Sequence, residues 1–404
     1  MKYLTFILLF FLFGFTDKEK KVTFEQTGKW VGTWATAMQL VEPHNMPPTP
    51  GLQNNTLRQI VRISITGDSL RVKFSNEFGS DTLHIKIAQI APSIGGSIID
   101  SSLIYFLTFK GKHEIKILSG KTVISDAVPI PIKPRIDLAI TIYFGKVPFS
   151  ITGHPGSRTT SYILFENNIS NGEFKNSVKT DHWYFISGID VFTSKKSATI
   201  AVLGNSITDG RGSGTNKQNR WPDILSERLI QNEATRNIGV LNLGIGGNCV
   251  LKQCLGESAL DRFERDILSQ KGIKWLIILE GINDIGQTTD SSNAFAVAKN
   301  LIDAYNTMIE KAHQKGIYVY GCTLLPFGKS FYYKSFRESA RKFVNDWIRN
   351  SKVFDAVIDF DKIMQNPDDS ETILTDMHTG DYLHPNELGY KHMGESIDLN
   401  LFSF

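Results

Sequence analysis

The chain has 404 residues, 44 Lys and Arg against 41 Asp and Glu, and a formal net charge of +3 at neutral pH. That length accommodates two domains with substantial cores. The nearly balanced charge, without a long basic tract, argues against nucleic acid as a partner. Three cysteines (Cys249, Cys254 and Cys322) are too few for a disulfide framework, so the fold must depend on its core.

The first 16 residues contain one lysine followed by an apolar run from Leu4 to Phe15, which is too short to span a bilayer. We predict that residues 1–16 are a secretory signal peptide, which makes the mature protein secreted or periplasmic, with no membrane span. An uncleaved N-terminal anchor is the alternative. In an oxidising compartment Cys249 and Cys254 are close enough in sequence to form a local bridge, although two reduced thiols fit the sequence equally well.

Residues 28–195 are dominated by short runs in which apolar and polar residues alternate, separated by turn residues. This pattern, with almost no helical period, predicts an N-terminal all-β, β-sandwich-like accessory domain. The runs that alternate most clearly are Leu57–Ile65, Leu70–Phe74, Leu83–Ile87, Ile104–Phe109, Glu114–Leu118 and Leu138–Tyr143.

Two features of this β-rich region bear on function. Trp30, Trp34 and Trp183 are aromatic rings that could stack on a sugar, but burial in the core is the commoner fate of tryptophan. The polar segment His154–Tyr162 interrupts the alternation. It either faces a neighbouring domain or forms a solvated connection, and the sequence alone favours the solvated connection.

Residues 196–404 have a different character, because strand-like runs alternate with amphipathic helical stretches. Strand–helix alternation predicts βαβ units and a parallel sheet with helices on both faces. The predicted strands are Thr199–Leu203, Val240–Leu243, Trp275–Leu279, Ile317–Tyr320 and Val357–Phe360; the predicted helices include Trp221–Ile230, Ala259–Leu268, Ala294–Lys315 and Phe336–Asn350.

The first three predicted strands of this second region end in small or polar residues. Ser206 follows the first strand, and ligands bind at this edge of open α/β sheets. The second strand leads into Asn242-Leu-Gly-Ile-Gly-Gly-Asn248, whose glycines let backbone N–H groups approach a ligand as an oxyanion hole requires, or simply form a turn. Asn283 follows the third strand and offers an amide donor.

Near the C-terminus, Asp381 and His384 are three residues apart. In a single turn this spacing brings the carboxylate to the imidazole and leaves the other ring nitrogen facing a nucleophile. A metal site is the competing interpretation, since Asp376, His378 and His392 lie nearby, but their spacing matches no ligand pattern. The sequence therefore does not favour a metal site.

Four segments, in order, resemble the four blocks of the SGNH (GDSL-type) hydrolases: Gly204-Asn-Ser206, the glycine turn ending at Gly247-Asn248, Gly281-Ile-Asn-Asp284 and Asp381-Tyr-Leu-His384. The resemblance covers about residues 198–400 and implies a flavodoxin-like α/β/α fold and a serine esterase mechanism without a metal or an organic cofactor. The β-rich region is similar to that of secreted bacterial members with an N-terminal β-domain.

Carried over position by position, the resemblance implies that Ser206 is the nucleophile, His384 the general base and Asp381 the residue that orients it. The N–H groups of Ser206 and Gly247, with the Asn283 amide, are the implied oxyanion donors. Gly246 takes the place of Gly247 if the alignment of the glycine turn slips by one. One departure is visible, because the Asp that usually precedes the family's serine is Asn205 here.

We expect a secreted esterase that removes acetyl groups, with a carbohydrate as the preferred alcohol and a small molecule or a polysaccharide as substrate. The loops at 208–216 and 379–381 are polar, and Arg211, Asn216 and Asn248 suit a hydroxyl-rich alcohol. Two alternatives stay open. One is a lipase or arylesterase with an apolar flap at Phe327–Tyr333, and the other is a non-catalytic carbohydrate-binding protein.

Overall fold

The computed structural model describes residues 28–194 and 196–403. The predicted signal peptide, residues 1–16, lies outside the described residues. Within the described part of the chain, no helix is both long enough and apolar enough to cross a membrane.

The first domain consists of antiparallel strands with one short 3-10 helix, Pro43–Asn45. The strands are β1 Gly28–Ala35, β2 Gln39–Leu40, β3 Thr56–Arg62, β4 Ser69–Ser75, β5 Leu83–Gly95, β6 Ile98–Ile99, β7 Tyr105–Leu107, β8 Ile115–Ile117, β9 Thr122–Ile124, β10 Asp137–Phe144, β11 Thr152–His154, β12 Ser161–Leu164, β13 Val178–Thr180, β14 Trp183–Tyr184 and β15 Ile186–Ser194.

Two of the antiparallel sheets share one core. The smaller has the order β1-β15-β4-β9, and the larger follows β13-β12-β3-β10-β5-β6 with β7 and β8 also paired to β5. Val72 and Val191 of the first sheet and Val61, Ile90 and Ile140 of the second belong to the same buried cluster. Side chains alternate between the two faces of a strand. The apolar residues of each predicted alternating run therefore point to one face, where the two sheets pack together. The β-sandwich prediction is confirmed.

The second domain alternates strands and helices, and its strands match the predicted ones closely. They are β16 Ala198–Gly204, β17 Ile238–Gly244, β18 Ile273–Leu279, β19 Tyr318–Cys322 and β20 Ala356–Ile358, followed by the hairpin strands β21 Gln365–Asn366 and β22 Asp369–Ile373. The helices are α1 Ser206–Asp209, α2 Trp221–Gln231, α3 Ala259–Arg262, α4 Ile282–Gly286, α5 Ser291–His313, α6 Ser335–Asn350, α7 Phe360–Met364 and α8 Glu387–Ser396, with a π-helix at Phe263–Leu268 and a 3-10 helix at Leu399–Phe402.

The last strand of the parallel sheet is shorter than predicted. The sequence predicts a strand over Val357–Phe360, whereas β20 ends at Ile358. The reason is a helix cap, because the Asp359 side chain accepts a hydrogen bond from the Lys362 N–H and Phe360 opens α7.

Strands β16 to β20 form one parallel sheet in the order β17-β16-β18-β19-β20. In chain order this is 2-1-3-4-5, the flavodoxin-like arrangement, whose ligand crevice lies where the connections leave two neighbouring strands in opposite directions. Here that point lies beyond the carboxyl ends of β16 and β18. The fold therefore places the residues that follow these two strands at a single crevice.

Helices cover both faces of this parallel sheet. Ala201 and Leu203 of β16 belong to one buried cluster, which also contains residues of α5 and α6. Ile200 and Val202 point to the opposite face and join a second cluster with residues of α2 and α8. Both faces of the strand are buried, which explains why its sequence is a continuous apolar run.

The two domains are packed directly against each other along β1. The Gly32 N–H donates to the Lys271 carbonyl at 2.8 Å, and the Thr199 hydroxyl donates to the Gly32 carbonyl at 2.9 Å. A Cβ atom at Gly32 would lie 2.9 Å from a methyl carbon of Leu241 in β17. The β-sandwich is thus held against the edge of the parallel sheet by a close backbone approach.

Candidate active site

Ser206 lies where the crevice of the parallel sheet is expected, at the start of the single-turn helix α1. Asn205 precedes it and caps the helix, with its side-chain oxygen accepting from the Ile207 N–H at 3.0 Å. Gly204 ends β16, and a Cβ atom there would lie 2.2 Å from the Thr208 hydroxyl, so glycine allows the tight passage from strand to helix.

The structure brings Ser206, His384 and Asp381 into one hydrogen-bonded line. Ser206 Oγ lies 2.9 Å from His384 Nε2, and His384 Nδ1 lies 2.6 Å from Asp381 Oδ2. The other carboxylate oxygen of Asp381 accepts from the backbone N–H groups of Leu383 and His384 at 3.0 and 2.9 Å. The three-residue spacing therefore acts as predicted, since one turn brings the carboxylate onto the ring.

The protonation states of His384 and Asp381 are those that a general base and its carboxylate partner require. Burial lowers the pKa of His384, and the nearby Arg211 and Arg158 lower it further, outweighing Asp381. Burial opposes ionisation of the Asp381 carboxyl, yet hydrogen bonds from His384 and Leu383 hold its pKa well below the usual range. At neutral pH the arrangement is a neutral imidazole held by a carboxylate, able to take a proton from a serine hydroxyl.

Hydrogen bonds tie the glycine turn and Asn283 into the same site. The Ile245 N–H donates to the Gly204 carbonyl at 3.0 Å, which joins the turn to the end of β16. The Asn283 side-chain nitrogen donates to the Asn248 carbonyl at 2.7 Å. One hydrogen of that amide is used in this way.

The geometry distinguishes the two candidate glycines of the turn. The Gly246 N–H donates to Asp209 Oδ2 at 3.1 Å, so it is engaged within the protein. Gly247 has a φ of +70° and a Cβ atom there would lie 2.7 Å from a methyl carbon of Leu255. Glycine is thus required at position 247, and its N–H is the better candidate for an oxyanion donor.

Residues 202–392 match the sequence model of the GDSL-like Lipase/Acylhydrolase family. The second domain belongs to this family. No curated protein matches the chain at a significant level.

Several solved structures are similar to about half of this chain. A lipolytic protein of the G-D-S-L family from Desulfitobacterium hafniense is 21% identical over 50% of this chain and 97% of its own, with a TM-score of 0.39. A catalytic mutant of Axe2, an acetylxylan esterase from Geobacillus stearothermophilus, is 18% identical over 50% of this chain and 94% of its own, with a TM-score of 0.38. A GDSL-like lipase from Bacteroides thetaiotaomicron is 20% identical over 50% and 86%, with a TM-score of 0.36.

The GDSL-like domain has a structural reason for carrying Asn205 before the serine. The Asn205 amide donates to Glu280 Oε2 at 2.6 Å, and Glu280 is fully buried. Burial raises the pKa of the Glu280 carboxyl well above its usual value. A carboxylate at position 205 would face this second acid, whereas the Asn205 amide donates a hydrogen bond to one of its oxygens, so the departure from the family's pattern is matched by its neighbour.

A disulfide bridge joins Cys249 to Cys254, directly after the glycine turn. The sequence fitted a bridge and two reduced thiols equally well, and the structure contains the bridge. Asp284 anchors the start of the bridged loop, because its carboxylate accepts from the backbone N–H groups of Val250 and Leu251 at 2.9 and 3.0 Å. The loop beside Gly247 is therefore fixed both covalently and by hydrogen bonds.

Three parts of the site could not be found from the sequence motifs. Tyr332, within the segment proposed as a flap, donates its hydroxyl hydrogen to the Asn283 side-chain oxygen at 3.0 Å and so fixes the orientation of that amide. Leu255 lies against Gly247 with half of its surface exposed. The third is the His154 segment, for which the favoured prediction was wrong. It is not a solvated connection, because buried His154 contacts Asp209 of α1.

Other residues considered as sites have structural roles. Trp34 and Trp183 are buried and pack edge to face, with ring centroids 5.0 Å apart, which agrees with the core interpretation. The Trp30 ring is covered by the Arg71 guanidinium. His392 was considered as a metal ligand. Its Nε2 atom lies 3.2 Å from the Ile363 carbonyl oxygen. Among residues 28–194 and 196–403, no group of three or more His, Cys, Asp or Glu side chains is arranged to hold a metal ion.

Proposed function

We propose that this protein hydrolyses short-chain carboxylic esters, with Ser206, His384 and Asp381 as its catalytic triad. The observation that carries the proposal is the continuous line of two hydrogen bonds, 2.9 Å from Ser206 to His384 and 2.6 Å from His384 to Asp381. It occurs in a GDSL-like domain, at the crevice where open α/β sheets bind ligands.

The chemistry follows from the atoms in this line. Ser206 Oγ attacks the ester carbonyl carbon while its proton passes to His384 Nε2, and Asp381 stabilises the resulting imidazolium. The tetrahedral oxyanion is held by the N–H groups of Ser206 and Gly247 and by the Asn283 amide. Collapse expels the alcohol with the proton from His384. Water, deprotonated by the same ring, then attacks the acyl-enzyme and releases the carboxylic acid and free Ser206.

We further propose that the acyl group is acetyl and the alcohol a carbohydrate. Ile207 and Ile245 are both buried, so neither lines a groove for a long acyl chain. Two of the polar residues expected to meet the alcohol are used elsewhere, since the Asn216 side chain is hydrogen-bonded to Thr160 and the Asn248 side chain to the Leu255 and Glu257 carbonyls. Of the three, exposed Arg211 remains as the polar candidate beside Ser206.

One observation favours an aryl or lipid ester as a second candidate substrate. Leu255, next to Gly247, is 50% exposed, and Phe331, which packs on Tyr332, is 68% exposed. These two apolar side chains lie on the oxyanion side of the site. An aromatic or acyl group of the substrate would cover them, whereas a sugar with an acetyl group would leave them partly in water.

The length of the acyl chain separates an acetyl ester from a lipid ester as the substrate. We expect kcat/KM for p-nitrophenyl esters to fall from acetate through butyrate to octanoate, because each added methylene gains about 0.8 kcal/mol only where an apolar surface buries it. Leu255→Ser serves as the matched variant, since it removes the nearest exposed apolar side chain. A rise along the series in the parent protein, lost in Leu255→Ser, would contradict the deacetylase proposal and support the lipase alternative.

The pH dependence tests the role of His384. A general base must be neutral, so activity is lost as pH falls through its pKa in the folded enzyme. Burial lowers that pKa below the ordinary 6.5. We therefore expect kcat/KM for p-nitrophenyl acetate to be level at neutral pH and to fall by half at a pH below 6.5. A midpoint above 6.5 in a profile corrected for spontaneous hydrolysis would show that another group titrates.

Release of acetate from acetylated polysaccharides tests the substrate directly. The parent protein is incubated with acetylated xylan, pectin and mannan, and acetate is measured enzymatically, with Ser206→Ala as the control for spontaneous release. Acetate release from at least one polymer above that control supports the proposal. Hydrolysis of p-nitrophenyl acetate without release from any polymer or its oligomers would restrict the activity to other esters.

Export of the protein is also proposed. It is supported by the apolar run after Lys2 in the sequence and by the Cys249–Cys254 bridge, which is typical of oxidising compartments. N-terminal sequencing of protein recovered from the periplasm and medium of a bacterial host tests it. Full-length protein found only in the cytoplasm would contradict it.

A further inference from the structure

The β-sandwich reaches into the GDSL-like domain through His154, at the end of β11. His154 and Asp209 are both buried, and His154 Nε2 lies 2.9 Å from Asp209 Oδ1. His154 Nδ1 lies 2.8 Å from the Ala37 carbonyl oxygen. The His154 ring therefore lies between two oxygen atoms that can only accept hydrogen bonds, a carbonyl and a carboxylate.

Asp209 is held as a carboxylate by its surroundings. Burial alone would favour its neutral form, but His154, Arg158 and Arg220 keep the pKa of Asp209 below its usual value. The chain of the β-sandwich also comes close to it, because a Cβ atom at Gly156 would lie 1.9 Å from Asp209 Oδ2. The segment 154–158 is thus shaped around this carboxylate.

The second oxygen of Asp209 connects this contact to the oxyanion turn. Asp209 Oδ2 accepts from the Gly246 N–H at 3.1 Å, and Gly247, the candidate oxyanion donor, is the next residue. Asp209 is also the last residue of α1, which begins with Ser206. A single buried carboxylate therefore links the nucleophile's helix, the glycine turn and the β-sandwich.

We propose that His154 is a positioning residue of the active site. By fixing the Asp209 carboxylate, it holds Gly246 and aligns the Gly247 N–H with the oxyanion that forms on the substrate carbonyl. The β-sandwich is then a structural part of the catalytic site, in addition to any contact it makes with substrate. This inference rests on the proposed function, since it requires Gly247 to act as an oxyanion donor.

The test compares His154→Ala with Gln270→Ala in the full-length protein. Gln270 accepts a hydrogen bond from Lys73 across the same domain interface at 3.0 Å and has no contact with Asp209, so it is the matched control. Loss of one oxyanion donor costs about a hundred- to a thousand-fold in rate. We expect misalignment in His154→Ala to lower kcat for p-nitrophenyl acetate by about tenfold or more, with KM within about twofold of the parent value. Gln270→Ala keeps the parent kcat.

A second readout distinguishes alignment from stability. An alkylboronic acid forms a tetrahedral adduct with an active-site serine and depends on the oxyanion donors, so we expect its Ki to rise in His154→Ala along with the fall in kcat. His154→Gln, which keeps an N–H donor for Asp209, recovers part of both. If His154→Ala does not fold, the same two measurements on His154→Gln decide.

The outcomes separate this inference from the proposed function. Parent values of kcat and boronate Ki in a folded His154 variant would overturn the inference while leaving the triad intact. A fall in kcat equal in His154→Ala and Gln270→Ala would also overturn it, because any loosening of the domain interface would then suffice. Undiminished turnover by Ser206→Ala would instead remove the proposed function itself.

Discussion

Ser206→Ala is expected to abolish turnover while leaving the fold intact. In serine hydrolases, loss of the nucleophile lowers kcat by about 10⁴-fold or more, since the rest of the site supplies only binding and oxyanion stabilisation. Folding is spared because the cap of α1 comes from Asn205, and the Ser206 hydroxyl contacts His384 rather than the core. The measurement is kcat for p-nitrophenyl acetate, with circular dichroism and Tm as checks of folding.

Ser213→Ala is the matched control for that substitution. Ser213 lies in the loop that follows α1, where its backbone N–H donates to the Gly210 carbonyl at 2.9 Å. Its variant removes a hydroxyl at a similar position in the chain but away from His384, so kcat stays at the parent value. Equal activity in Ser206→Ala and Ser213→Ala would place the nucleophile elsewhere and revive a non-catalytic role for this site.

Asp381→Asn is expected to have the next largest effect, a loss of about 10⁴-fold in kcat. The amide oxygen can still accept from the backbone N–H groups of Leu383 and His384, so the turn is kept. The amide nitrogen, however, now donates to His384 Nδ1. The ring proton must then occupy Nε2, and this nitrogen can no longer accept the proton of Ser206.

Asp376→Asn controls for the loss of a negative charge near the site. Asp376 is exposed and lies in the same C-terminal segment, five residues before Asp381. We expect it to retain the parent kcat and pH profile, measured with p-nitrophenyl acetate between acid and mildly alkaline pH. If Asp381→Asn were as active as Asp376→Asn, His384 would not depend on a carboxylate, and the site would act as a Ser-His dyad.

Features that depend on local periodicity and on the order of motifs could be predicted from the sequence. The apolar run of β16 and the alternating runs of the β-sandwich were predictable because each strand is buried on one or both faces along its whole length. The meeting of Asp381 and His384 was predictable because three residues form one turn. Strand β20 was predicted too long because its last apolar residue, Phe360, belongs to a capped helix.

The features that sequence did not reveal depend on contacts between distant segments. His154 lies 55 residues before Asp209 and in another domain, and a polar loop carries no periodic signal of what it contacts. Asn216 and Asn248 looked free to bind substrate, yet both amides are used to hold loops. Leu255 gave no signal, because a single exposed leucine in a loop has no pattern; it directly follows Cys254 of the disulfide bridge.

The most direct measurement is covalent labelling of the nucleophile. The protein is treated with diethyl p-nitrophenyl phosphate, residual esterase activity is followed, and peptide mass spectrometry locates the phosphoryl adduct. We predict that one equivalent inactivates the enzyme and that the adduct is on Ser206, with no labelling of Ser206→Ala and slow labelling of Asp381→Asn. Stoichiometric inactivation with the adduct on another residue, or full labelling of Asp381→Asn at the parent rate, would contradict the triad.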